Sequence, residues 1–280
     1  MKFSLRSRVV AEFLGTGFLV AAVVGSGIMG ERLAGGNIAV TLLANTISTG
    51  AALLALILTF GPVSGAHFNP AVTLVDAVEH GIPWPEVPLY IAGQCSGGIV
   101  GTLVAHLMFG LRWFSLSTHP RHGWALVFSE FVATFGLLSV IWGCSRLRSN
   151  VTPFAVASYI TAAYWFTSST SFANPAVTIA RTLSDTFTGI APAGVLPFVI
   201  AQLVGAFSAT LLFRWLVPNL PAFAPAIRSM RSAPKSPPTR FSKSELGTSI
   251  WRDFPLYPSP RFGGLASAAL FTSVATPWQR

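Results

Sequence analysis

The sequence predicts an all-α membrane protein: six transmembrane helices plus two re-entrant half-helices, arranged as an inverted internal repeat. Three observations predict it. Hydrophobic residues make up 52% of the chain and charged residues only 10%, against about 25% charged in a soluble domain; mean hydropathy is +0.61. Six apolar stretches reach or approach the roughly 20 residues that cross a bilayer as a helix. The phrase Asn-Pro-Ala occurs twice, at Asn69-Pro70-Ala71 and Asn174-Pro175-Ala176, each time after two such stretches.

In chain order the spans are 9–29, 38–60, 88–109, 124–144, 151–166 and 193–217, the fifth being the shortest. The first carries Glu12 and lacks a small-residue cleavage pattern, so it reads as a retained span and not a signal peptide. Two phrases open matching halves: Ala11-Glu12-Phe13-Leu14-Gly15-Thr16 and Ser129-Glu130-Phe131-Val132-Ala133-Thr134. Each half then runs span, span, Asn-Pro-Ala, span; Gln94 follows the first Asn by 25 residues and Gln202 follows the second by 28. Three spans per half is an odd number, so the second half enters from the opposite side and the functional site falls at the midplane. The membrane domain is 1–217, with halves of about 1–115 and 116–217. From Pro218 the character changes: 218–280 hold ten of the 20 prolines with many Ser and Arg, which reads as a largely disordered cytoplasmic tail. Its apolar patch 263–275 is too short to span.

Cation placement sets the orientation. With both termini inside, fourteen of the 18 Lys and Arg lie on inner segments; the outer ones hold only Arg32, Arg112, Arg121 and Arg181. The net charge of +9 therefore reports on topology and on attraction to lipid headgroups. It does not indicate nucleic acid. Cys95 and Cys144 fall inside predicted spans, imply no disulfide and read as small buried hydrophobes.

The segments after each Asn are too short to cross. Val72 to Val78 runs into Glu79-His80-Gly81, and Val177 to Leu183 into Ser184-Asp185. Each reads as a half-helix starting at the midplane, a geometry that survives only when buried or lining a water-filled cavity. Pro70 and Pro175 suit the first helical turn. Asn69 and Asn174 suit the cap, leaving their amide NH2 groups to donate to a passing solute. Two half-helix N-termini meeting there place about half a positive charge each at the centre. That field repels cations while the Asn donors break proton wires.

Those residues resemble the aquaporin/glycerol-facilitator (major intrinsic protein) family over about residues 5–217. The resemblance implies one pore per subunit and a homotetramer, with the inner membrane as the expected home; no nucleophile–base arrangement or phosphate loop appears in the sequence, so no enzymatic activity, cofactor or metal is expected. It implies that Glu12 and Glu130 brace the re-entrant loops and that His67 lines the inner vestibule. The family's outer constriction, counted from the paired Asn residues, falls on Thr49, Ala162, Ser171 and Val177. Water-selective members place an aromatic, a histidine and an arginine at the first, second and fourth of these. Here all three are small or apolar, so the expected constriction is wide and lacks the usual guanidinium. Arg181, one turn past Val177, reads as an ordinary interfacial arginine, with a reach back into the pore as the alternative. The segments 159–166 and 168–181 are similar to bacterial members associated with arsenic-resistance loci.

The expected function is a passive channel for small uncharged solutes. Arsenite, As(OH)3, comes first, methylated arsenicals second, and a general glycerol and water channel is the alternative. A coupled carrier and a tail-mediated docking protein are the rivals from other classes; the first lacks an intramembrane ion site beyond the two glutamates. His119 and His122, in an outer loop with no acid or cysteine beside them, read as solvated. Asn45 reads as a helix–helix hydrogen bond.

Overall fold

The computed structural model describes residues 3–217. The expected tail 218–280, with its patch 263–275, lies outside the described residues. Among the described residues there are eight α-helices: α1 Leu5–Leu33, α2 Ile38–Ser64, α3 Pro70–Val78, α4 Val87–Met108, α5 Trp124–Leu147, α6 Thr152–Phe166, α7 Pro175–Ala180 and α8 Val195–Leu216. The chain is all-helical there. Five helices are long and apolar enough to cross a membrane. The fifth predicted span, α6, has 15 residues. At 1.5 Å per residue it covers about 22 Å, short of the ~30 Å hydrocarbon core, and a 3-10 turn at Ser149–Val151 extends it inward.

The two halves pack alike. α1 makes its most extensive contact with α4, and α5 with α8. On α4 the glycines Gly93, Gly97 and Gly101 sit four residues apart against the backbone of Val9, Phe13 and Gly17 on α1. A Cβ at Gly97 would collide with the Phe13 carbonyl, so the two backbones approach as small-residue membrane crossings do. In the second half Gly205 on α8 lies against the Phe131 carbonyl on α5. Large apolar side chains such as Phe18, Ile47, Leu196, Leu211 and Trp215 point outward, where lipid is their solvent.

The short helices α3 and α7 occupy the space these pairs enclose. Each begins with Pro at its first turn, an Asn cap, and a loop that has just turned back from a long helix. α2 ends at Gly65, which is left-handed at φ 96°. That turn lets the chain double back instead of leaving the bilayer.

Candidate functional site

Both re-entrant loops carry the same strain. Ala66 and Phe68 have φ of 51° and 50°; Ser171 and Ala173 have 50° and 47°. These are the third and first positions before each Asn. A left-handed non-glycine residue costs roughly 1–2 kcal/mol, so something must hold these loops. Two buried carboxylates do. Glu12 Oε1 accepts from Ser64 Oγ (2.6 Å) and the His67 amide (3.0 Å), and Oε2 accepts from the Phe68 amide (2.7 Å) and Gln94 Nε2 (2.8 Å). Glu130 accepts from the Phe172 and Ala173 amides (both 2.9 Å) and from Gln202 Nε2 (2.6 Å). Gln94 and Gln202 donate onward to Thr73 and Thr178 Oγ1, at 2.8 and 2.9 Å. Both glutamates are 0% exposed. A fully hydrogen-bonded buried carboxylate is stable where a bare one is not.

The loops are also tied to each other. Asn69 Oδ1 caps α3 through the Ala71 amide (2.9 Å), and Asn174 Oδ1 caps α7 through the amides of Ala176 (2.9 Å) and Val177 (3.3 Å). The sequence left both Nδ2 groups to a passing solute; in the structure each is partly committed. Asn69 Nδ2 donates to the Ala173 carbonyl and Asn174 Nδ2 to the Phe68 carbonyl, both at 2.8 Å. An amide nitrogen carries two hydrogens, so one donor on each Asn remains for the lumen. Both Asn residues line a cavity whose wall includes α1, α2, α5, α6 and both loops.

Thr49, Ser171 and Val177 line that cavity. Ala162 does not belong there: it is exposed on the far side of α6. The lumenal stripe of α6 is Thr152, Val156, Ile160 and Tyr164, spaced four apart. Ala162 is two residues from that stripe, about 200° around the helix. Tyr164 fills the outer position instead, 3% exposed, with its hydroxyl donating to Thr49 Oγ1 at 3.2 Å. The Ser171 hydroxyl has no protein partner. This part of the cavity wall is therefore hydroxyl-rich on one side and apolar at Val177 and Phe172.

Arg181 overturns a second expectation. It is 2% exposed and lines the cavity. Its guanidinium lies over the Phe172 ring, 3.4 Å from the centroid, and its Nε donates to the Thr188 carbonyl. It is not an interfacial residue. The 3-10 turn Arg181–Leu183 that ends α7 swings the side chain inward.

His67 also lines the cavity. Its Nδ1 is 3.1 Å from Thr73 Oγ1 and its Nε2 is 3.4 Å from Asp76 Oδ2. Asp76, on α3, is 4% exposed, and its Oδ1 has no hydrogen-bond partner. Beyond it Glu79 pairs with Arg146 (2.6 Å) and with Arg214.

Residues 1–170 and 145–245 match the family Major intrinsic protein. The chain belongs to that family. It is 51% identical over 216 residues to "Aquaglyceroporin AqpS" of Rhizobium meliloti (strain 1021), covering 77% of this chain and 92% of that protein. It is 30% identical over 220 residues to "Probable aquaporin NIP4-2" of Arabidopsis thaliana, covering 76% and 75%. The X-ray structure of the aquaglyceroporin from Plasmodium falciparum superimposes with a TM-score of 0.58 at 18% identity, covering 77% of this chain and 98% of that one. Major intrinsic proteins are multi-pass membrane channels and not enzymes.

Four lumenal or near-lumenal residues escaped the sequence reading: Tyr164, Phe172, Arg121 and Asp76. The four-residue spacing from Thr152 would have found Tyr164. Nothing local marks Arg121, which reaches from the loop before α5 to the carbonyls of Gly189 (2.8 Å), Ser169 (3.1 Å) and Phe187 (3.3 Å). Asn45 bonds the Val23 carbonyl (2.7 Å) and Ser26 Oγ (2.9 Å) on α1. His119 faces Asp185 at 3.9 Å.

Proposed function

We propose that this protein is a passive channel for small uncharged polyhydroxy solutes, with As(OH)3 foremost and methylated arsenicals as larger, less polar cargo. One observation carries the reading. The outer narrowing offers hydroxyls from Thr49, Tyr164 and Ser171 beside apolar Val177 and Phe172. A solute with several hydroxyls and no charge finds partners there without a charge to neutralise. At neutral pH arsenous acid is such a solute, and its shape is close to that of glycerol. Among the described residues no acidic side chain lines the cavity, which supports passive flow over coupling.

The second reading is a general glycerol and water channel. It is favoured by the 51% identity to an aquaglyceroporin. Purified protein in liposomes separates the two by stopped-flow light scattering with As(OH)3, glycerol and water. Linear, non-saturating flux with arsenite at least matching glycerol is expected. Glycerol far ahead of arsenite favours the second reading, and saturating flux with a large activation energy contradicts both. Cytoplasmic termini, an inner-membrane home and a homotetramer complete the proposal; protease access to tagged termini and the mass of the detergent-free particle test them.

A further inference from the structure

We propose that Arg181 is the ion barrier and solute-orienting donor of the outer constriction, its charge moved one helical turn outward from the position Val177 holds. The inference rests on the passive-channel reading but does not depend on which neutral solute passes. Arg181 is 2% exposed and lies against the lumen with Thr49, Tyr164, Ser171 and Val177. Its Nε is committed to the Thr188 carbonyl, whereas neither terminal amine bonds a protein group among the described residues. Those two amines are the donors left for a solute oxygen or pore water.

A second cation stands behind it. The Arg121 guanidinium lies over the same Phe172 ring, 5.1 Å from its centroid. All three of its nitrogens are engaged, by the Gly189, Ser169 and Phe187 carbonyls. Arg121 is thus a positioning residue that fixes Phe172 and the loops around it, while Arg181 faces the lumen. Among the described residues neither arginine has a carboxylate within 4.0 Å. A buried Arg181 and a half-buried Arg121 sharing one ring without a carboxylate are costly to keep. An ionisable group at membrane depth marks a solute path by default. Here their summed field rises where the lumen narrows, which repels cations and leaves neutral solutes to pass. The Phe172 face supplies part of the compensation.

Liposomes loaded with potassium- and proton-sensitive dyes test this, with glycerol flux measured in parallel. Arg181→Gln keeps a donor for the Thr188 carbonyl and loses the charge. It is expected to raise the cation and proton leak tenfold or more while holding or raising glycerol flux. Restoring the charge one turn inward, in Val177→Arg with Arg181→Gln, is expected to return the leak to the wild-type level. An unchanged leak in Arg181→Gln overturns the proposal, as does a double variant that leaks like the single one. If Arg181→Gln does not assemble, the wild type is treated with methylglyoxal, a small neutral arginine reagent, and Arg181 is read by mass spectrometry. Modification with a raised leak, absent in Arg181→Lys, supports the barrier; a modified channel that stays tight overturns it. Failure of the wild type to pass any neutral solute sinks the channel reading and is scored separately from the leak.

Discussion

The two vestibules are built on one repeated plan and furnished with opposite chemistry. Two residues before each Asn stand His67 in the first half and Phe172 in the second; seven residues after it stand Asp76 in the first and Arg181 in the second. In both halves these two positions meet: His67 Nε2 lies 3.4 Å from Asp76 Oδ2, and the Arg181 guanidinium lies 3.4 Å from the centre of the Phe172 ring. Ten residues after each Asn the contrast repeats. Glu79 carries an ion cluster with Arg146 and Arg214, whereas the Ser184 hydroxyl lies 2.9 Å from His106 Nε2. What the halves share is the machinery that holds the loops: the glutamate, the glutamine, the Thr four residues past each Asn and the paired left-handed residues. Duplication fixed the scaffold. Charge distinguishes the ends at positions other than the glutamate, glutamine and threonine that hold the loops.

The sharpest way to break this comparison is to remove the shared part. Glu12→Ala strands four donors and Glu130→Ala three, at about 1–3 kcal/mol for each buried group left unpaired. Both variants are expected to lose the folded protein in detergent, Glu12→Ala at the lower temperature, as followed by size-exclusion melting. A Glu130 variant that unfolds while its Glu12 counterpart melts like wild type would contradict the equivalence.

Next in size is the crossing of the loops. Asn69→Ala and Asn174→Ala each remove a cap and an inter-loop bond, about 1–3 kcal/mol apiece. Because both sit in one network, the double variant is expected to miss additivity by about 0.5 kcal/mol or more. Strict additivity in thermal unfolding would mean the loops are held independently.

Smaller effects probe what differs. Glu79→Gln releases Arg146 and Arg214 at the inner rim only. A loss of about 1 kcal/mol is expected, shrinking as salt is raised; Ser184→Ala on the outer side is expected to show no such salt dependence. Last comes pH. The exposed Asp185 carboxylate is held below its ordinary range, first by the Thr118 amide at 2.8 Å and then by the Thr118 hydroxyl and His119. A depressed carboxylate contributes above its unfolded pKa, near 4, and its contribution is lost as pH falls through the depressed value. The outer loop is therefore expected to become more protease-sensitive only in strong acid, and Asp185→Asn is expected to show that sensitivity already at neutral pH.

How much of this was legible follows from distance along the chain. Asn69-Pro70 and Asn174-Pro175 announced both half-helices, because a cap and a first-turn proline are local signals. Thr49 and Val177 reach the lumen, at positions counted without gaps from the nearest Asn. Ala162 did not, because the count ran back through the turn at Thr167–Thr170, where the Thr170 amide bonds the Thr167 carbonyl and helical phase is lost. Arg181 was visible but its direction was not: a 3-10 turn and the aromatic face of Phe172 turn it inward. Arg121, more than 40 residues from its partners at 169, 187 and 189, left no pattern to find.

The measurement that bears most directly on the central claim compares Tyr164→Ala with Ala162→Leu in liposomes, scoring As(OH)3, glycerol and water flux by light scattering. If Tyr164, Thr49 and Val177 form the outer narrowing, Tyr164→Ala speeds the larger solutes relative to water and Ala162→Leu leaves all three fluxes unchanged. A slowed Ala162→Leu beside an unaltered Tyr164→Ala would contradict it.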